Sequence, residues 1–455
     1  MFFSKKKGKI KIDEFTGDYN FKNRYKTNIK VVPTGSTLED AKKNFVNLID
    51  QNMKKLQSVP NRPKMMKYFD NIMSSNFQPR IKELEEFKAA GGKIVGTFCL
   101  QVPEELIYAA GCIPIRLSCA FYDSISVAEE IIPSNTCPMV RSSIGFPFLK
   151  INPFFDMCDV VVIPTTCDGK KKMAEVMSNY KHVWTIELPQ DKEHLDARDQ
   201  YLLQVKLFKE RLERLTGKKI PRSNIENSIK LLQKRTTALR DFLEVKKHKN
   251  ISINGRDTLL AIQTAFNDDI HRWTQSLNNL TNEIRENQAK NIVVAPSDVP
   301  RLMITGSPMI WPSWKVLDSI EESGAIIVID DSCAGSQYFY NTVEVPDYSM
   351  TSMLSAIGDK YLLPTVCPIY VHGDDRIDRI IELSSLYKVH GIIYHILRLC
   401  TLMDFEYNKT SEVLKSRNVP LLKIETEYGQ EDIGQIKTRV EAFIEMIEAR
   451  YDKWL

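Results

Sequence analysis

Short apolar runs alternate with helical segments twice along this chain, and that alternation restricts the fold more than any other feature, because strands separated by helices pair in parallel. The first series runs Lys93-Ile94-Val95-Gly96-Thr97-Phe98, a helix over Pro103 to Gly111, then Ile113 to Leu117. Pro103 stands at the first helical turn and Gly111 at its end, the usual asymmetry of a short helix. The series repeats with Asp159-Val160-Val161-Val162-Ile163, a helix over Lys171 to Tyr180 and a strand over His182 to Leu188. So short and so apolar a run as Val160 to Ile163 suits a strand covered on both faces. From Arg301 the pattern resumes with Leu302 to Thr305, a helix over Ser313 to Glu322 ended by Gly324, and Ala325 to Ile329. It closes with Gly391 to Tyr394, a helix through Val413, Pro420 to Ile424 and a long helix from Ile436 to about Tyr451.

The intervening stretch is helical and charged, with Leu203, Leu207, Leu212 and Leu215 at helical spacing. In it, Ser223-x-x-Glu226 after Pro221 reads as a capping box. The expected architecture is α/β: two Rossmann-like parallel-sheet domains joined by a helical segment, with an N-terminal helical arm. The boundaries fall at 1–90 for the arm, 91–192 for the first α/β domain, 193–297 for the helical linker or lid and 298–455 for the second. Charge adds only exclusions. Lys and Arg number 62 against 58 Asp and Glu, a balance without the clustered excess that a nucleic-acid groove needs. No run of about 18 apolar residues suggests a membrane span, Lys5 to Lys11 reads as a solvated terminus, and the expected location is cytoplasmic. No Gly-x-x-x-x-Gly-Lys-Ser/Thr phosphate loop occurs, so any ATP hydrolysis belongs to another protein.

Nine cysteines in such a chain call for metal, redox chemistry or plain burial, since the cytosol keeps thiols reduced. No Cys-x-x-Cys pair is present, so metal-binding thiols would have to converge from distant segments. Parallel sheets gather ligands beyond the carboxyl ends of their strands, and Cys99, Cys119, Cys167, Cys333 and Cys400 fall at or just past such ends. Cys137 precedes Pro138 in a loop that continues as Arg141-Ser142-Ser143, and Cys367 precedes Pro368. Cys167 stands in Thr165-Thr166-Cys167-Asp168-Gly169-Lys170-Lys171-Lys172, where a helix start and cations favour thiolate. Cys112 and Cys158 lie among apolar neighbours at strand starts and read as core thiols. Asp330-Asp331 before Cys333 read as capping carboxylates.

Taken together, these segments resemble the 2-hydroxyacyl-CoA dehydratase and benzoyl-CoA reductase superfamily over about residues 93 to 450. Pro103 to Gly111 looks like its opening helix, Cys137-Pro138, Cys167-Asp168 and Cys400 like its cluster ligands, and Ile424 to Tyr428 with Gly434 to Phe443 like its closing segment. Gly96-Thr97-Phe98-Cys99, Arg141-Ser142-Ser143, Thr165 to Met173 and Cys333-Ala334-Gly335 are similar to the double-cubane branch. Asn152 stands where some relatives carry a further cysteine. The resemblance implies an 8Fe-9S double cubane held by Cys99, Cys137, Cys167, Cys333, Cys367 and Cys400, with Cys119 in reserve, or else a single 4Fe-4S cluster. It implies a homodimer, an ATP-hydrolysing iron–sulfur activator as partner and a small-molecule substrate, with Arg141, Ser142, Ser143 and Lys170 supplying protons or hydrogen bonds. The alternatives are a dehydratase component with one 4Fe-4S cluster and a non-catalytic electron-storage or maturation protein.

Overall fold

The computed structural model describes residues 35–451 apart from 75, 76, 152, 339 and 340. The lysine-rich start, Lys5 to Lys11, and Asn152 lie outside the described residues. Three helices, α1 (Gly35–Gln57), α2 (Met66–Ser74) and α3 (Gln78–Ala89), precede the first strand. They are not a detached arm: Phe45, Ile49, Met66 and Phe69 are buried in the same core as Val161 of the first sheet and Ile304 and Ile392 of the second. Arg62, between α1 and α2, fastens them by reaching Asp70 at 2.6 Å and Asp257 at 2.8 Å.

The first sheet holds β1 (Ile94–Thr97), β2 (Ile113–Arg116), β3 (Val160–Pro164) and β4 (Val183–Ile186). Between them run α4 (Glu104–Ala109), α5 (Asp123–Glu129), α6 (Pro138–Gly145), α7 (Phe154–Met157) and α8 (Asp168–Met177). Its order is β2-β1-β3-β4 and every neighbouring pair is parallel. All of β3 is buried, as its unbroken apolar run requires of a central strand.

Four helices follow: α9 (Ala197–Thr216), α10 (Arg222–Glu244), α11 (Gly255–Thr264) and α12 (Ile270–Ala289). The expected capping box does not form. Helix α10 starts at Arg222 with Pro221 as its uncapped N-cap residue, which puts Ser223 inside the first turn, and Glu226 pairs with Lys230 at 2.6 Å instead. Helix α11 is buried along its whole length, capped by the Asn254 side chain on the Asp257 N–H, and packs against the second sheet. A Cβ at Gly255 would lie 2.4 Å from Cβ of Ile327, so that approach requires glycine.

The second sheet repeats the first in topology, with order β6-β5-β7-β8 and parallel pairing throughout. Its elements are β5 (Arg301–Gly306), α13 (Lys315–Glu322), β6 (Ile326–Asp331), α14 (Met350–Leu362), α15 (Asp374–Leu386), β7 (Gly391–Leu397), α16 (Thr401–Ser416), β8 (Leu421–Thr426) and α17 (Ile433–Tyr451). Helices α14 and α15 have no counterpart in the sequence reading. No helix among the described residues is long and apolar enough to cross a membrane. In both sheets the chain reverses its direction of growth beside the first strand, between β1 and β3 and between β5 and β7, and such reversals open a crevice at the strand ends.

Candidate metal centre

The crevice of the first sheet is flanked by Cys99, just past β1, and Cys167, just past β3; that of the second has Ser307 after β5 and Cys400 after β7. Gly306 makes the second crevice possible, with φ +104° and so close an approach that a Cβ would lie 2.1 Å from the His395 carbonyl oxygen. Cys99 itself has φ 58°, an uncommon left-handed conformation for a residue with a side chain. Cys137, Cys167 and Cys400 are the N-cap residues of α6, α8 and α16. Free backbone N–H groups at a helix start stabilise a thiolate, and Met139 and Val140, Lys170, and Met403 donate to these three sulfurs in turn. Ile369 does the same for Cys367.

The six cysteines named as ligands are drawn into one neighbourhood. Cys137 and Cys400 are coupled thiol to thiol; that coupling, together with burial, holds Cys137 well above the usual thiol range, and it lowers Cys400. Cys167 is pushed up by burial and feels both Cys99 and Cys400, Cys333 by burial and Cys99, and Cys367 by burial, Cys333 and Cys99. Cys112 and Cys158 stand apart in the apolar core, each raised to about 12 by burial. Cys119 is likewise buried and raised to about 12, with Ser142 donating to it at 3.5 Å.

The four residues expected to assist divide into two kinds. Arg141 is fully engaged, with the Thr136 carbonyl at 2.8 Å, Glu129 at 2.5 Å and Glu427 at 3.1 Å, and so ties the Cys137 loop to the end of β8. Ser142 lies in a buried contact with Ser124 at 2.8 Å and the Phe121 N–H at 3.0 Å. Ser143 is buried with a hydroxyl that has no partner among the described residues. The lysine triplet splits: Lys171 and Lys172 make surface pairs with Asp168 and Glu175, whereas Lys170 is buried with its ammonium 4.6 Å from the centre of the Phe98 ring.

Three further residues escaped the sequence reading. Arg116, the last residue of β2, lies between the rings of Phe266 and Tyr338, 4.6 Å and 4.5 Å from their centres, and donates to the Cys333 carbonyl at 2.9 Å. A cation that closes an apolar strand is the one signal that could have found it. Ser307 donates to Cys400. Tyr428 has a buried hydroxyl, partnerless among the described residues, in the field of Cys137, Cys119, Cys400 and Cys333.

These features fit an anionic iron–sulfur group. Neither Arg116 nor Lys170 forms an ion pair with a carboxylate among the described residues, and a buried cation without countercharge costs several kcal/mol (about 3 or more). Thiolates would supply that charge, and the orphaned Tyr428 hydroxyl would find an acceptor in sulfur. Among the described residues no three His, Cys, Asp or Glu side chains are spaced for a single metal ion.

Two parallel sheets with a thiol-rich junction at their carboxyl ends define the class of protein: an α/β protein with a cysteine-lined centre shared by both sheets. The family model for 2-hydroxyglutaryl-CoA dehydratase, D-component, matches residues 99–447. The Escherichia coli (strain K12) protein that carries the name dehydratase subunit YjiM is 31% identical over 80% of this chain and 93% of its own length. The beta subunit of (R)-phenyllactyl-CoA dehydratase from Clostridium sporogenes is 23% identical over 84% of this chain and 99% of its own. One of the benzoyl-CoA reductase polypeptides of Thauera aromatica is 21% identical over 78% of this chain and 91% of its own. The chain belongs to the 2-hydroxyacyl-CoA dehydratase and benzoyl-CoA reductase superfamily.

Proposed function

We propose that the protein is an iron–sulfur reductase, acting as a homodimer, that holds an 8Fe-9S double cubane on Cys99, Cys137, Cys167, Cys333, Cys367 and Cys400. It takes electrons from a separate ATP-hydrolysing iron–sulfur activator and reduces a small molecule. The observation that carries this reading is that all six thiols, drawn from segments beside both sheets, feel one another in an unbroken series. Cys400 acts on Cys137 and Cys167, Cys99 on Cys167, Cys333 and Cys367, and Cys333 on Cys367. Two bridged cubanes need three thiolates each.

When bound, such a group supplies low-potential electrons to a molecule beside it. The chain's own residues set the conditions. Arg116 and Lys170 place positive charge against the thiolates and so favour the reduced form. Helices α6, α8 and α16 aim N–H groups at Cys137, Cys167 and Cys400, while Ser143 and Tyr428 hold hydroxyl protons that no acceptor among the described residues claims. Arg141 and Ser142 serve by fixing the Cys137 loop. Helix α16 buries only Thr410 and Leu414 and leaves Phe405 77% exposed, with Leu399 45% exposed beside Cys400. That apolar surface over a cluster ligand suits an electron-donating partner.

The names of the relatives favour a second reading, a dehydratase component with one 4Fe-4S cluster on Cys137, Cys167 and Cys400. Electron paramagnetic resonance and iron content of the Cys333→Ala and Cys367→Ala proteins separate the two. The double cubane predicts a changed spectrum and lost iron in both, and the single cluster predicts neither.

A further inference from the structure

Arg116 faces two ways. On one side it holds Cys333; on the other it lines a chamber walled by aromatic rings, among them Phe266 and Trp311 from the part of the chain that the family model matches. The outer wall has a different origin. Phe45 of α1, Met73 of α2 and Phe77 beside α3 close it, and these helices precede the matched residues 99–447.

The chamber's chemistry is one-sided. Among the described residues its lining includes no acidic side chain, and Arg116 is its only charged residue. That arginine is 4% exposed, donates to Ser118 Oγ at 3.2 Å and to the Cys333 carbonyl at 2.9 Å, and forms no ion pair among the described residues. Three more buried polar atoms of the lining, Ser143 Oγ, Trp311 Nε1 and Asn267 Oδ1, have no hydrogen-bond partner among the described residues. An indole N–H and a guanidinium only donate, a hydroxyl can donate and a carboxamide can turn to present its NH2, so an acceptor serves all four groups, and Arg116, the one charge in the lining, favours an anion. The room inside the chamber is small, about 70 Å³ measured to the centre of a water-sized sphere. Those dimensions suit a molecule the size of one ring, and aromatic walls favour a flat one.

We propose that this chamber binds a small planar carboxylate, aromatic or conjugated and about the size of benzoate, with its charge on Arg116 and its body against the rings, and that the N-terminal helices set the size of what enters. The proposal names a substrate class for the reductase and rests on that reading only for the reduction that would follow binding; no redox step is part of the binding itself.

Calorimetric titration of the anaerobically purified full chain with benzoate, and with benzamide as its uncharged counterpart, tests it, iron content being determined on the same samples. The expected result is saturable benzoate binding at one site per chain, at least about tenfold tighter than benzamide. Arg116→Gln should bring benzoate down to the benzamide level, and Phe45→Trp, which fills the chamber from the outer wall without touching Arg116, should weaken both ligands alike. Absence of saturable benzoate binding, equal affinity for the two ligands, a charge preference that survives Arg116→Gln, or affinities unmoved by Phe45→Trp would each overturn the proposal. Failure of the cluster reading shows separately, as missing iron in the unsubstituted protein.

Discussion

Cys137 and Cys400 meet thiol to thiol, the first at the start of α6 beside the β1–β4 sheet and the second at the start of α16 beside the β5–β8 sheet. In the proposed ligand set neither sheet supplies all six thiols. The contact is the point at which two copies of one topology become a single site.

Replacing Cys137, Cys167 or Cys400 by Ala should each abolish normal cluster assembly, because a methyl group cannot fill an iron coordination position. Cys112→Ala should keep its iron, since Cys112 is buried in the apolar core and no other thiol acts on it. Iron and sulfide analysis of the four purified variants checks both statements. Full iron in the first three would remove the ligand assignment.

Lys170→Met should make the cluster harder to reduce. The ammonium stacks on Phe98 and contributes positive charge felt at Cys167, and removing it disfavours the added electron, shifting the midpoint potential downward by on the order of tens of millivolts. The iron-free chain should move the other way and gain stability, because a buried, unpaired cation is gone. Potentiometric titration and thermal melts are the measurements. A potential unchanged from the parent would place Lys170 outside the centre's field.

Lys246 gives a pH dependence far from the site. It is buried, donates to the Ile253 carbonyl at 2.8 Å, and burial pushes its ammonium down to about 7 from 10.5. Between those two values the unfolded chain holds a proton that the folded chain has released, so stability rises with pH across that window and gains nothing from this group below it. Lys246→Met should lose this part of the rise. Denaturation midpoints at several pH values from about 7 to about 10 read the slope directly, and parallel slopes in parent and variant would contradict the assignment.

Phe405→Glu should leave iron content unchanged and slow electron delivery from the activator. The ring is 77% exposed on the helix that Cys400 begins, so the change alters the surface without touching the core. The rate of cluster reduction by activator and ATP, compared with reduction by a small chemical reductant, isolates the docking step. Equal slowing of both would mean that the substitution had damaged the centre itself.

The strands were legible because burial on both faces leaves a plain mark: Val160 to Ile163 and Gly391 to Tyr394 are apolar at every position or nearly so, and each is a central strand of its sheet. Cysteines at strand ends were legible for the same reason, once the ends were known. Helices α14 and α15 were not legible because the chain between β6 and β7 holds two helices and no strand, so the strand–helix alternation does not mark them. The capping box failed because Ser223-x-x-Glu226 is a local pattern, while the helix starts at Arg222 with Pro221 as its N-cap residue, two residues ahead of the start that Ser223 would cap. Arg116, Ser307 and Tyr428 could not be assigned from sequence, since each acquires its meaning from a residue on a remote segment: Cys333, Cys400, and the four thiols around the tyrosine hydroxyl. The role of the N-terminal helices was hidden likewise, because Phe45 and Phe77 become chamber walls only when the rings opposite them are in place.

Iron and acid-labile sulfide per chain, measured on protein purified without oxygen, test the central claim most directly. The account predicts about eight irons per chain, as a bridged pair of cubanes on six thiolates requires. About four irons would contradict it and transfer the site to a single cluster on Cys137, Cys167 and Cys400.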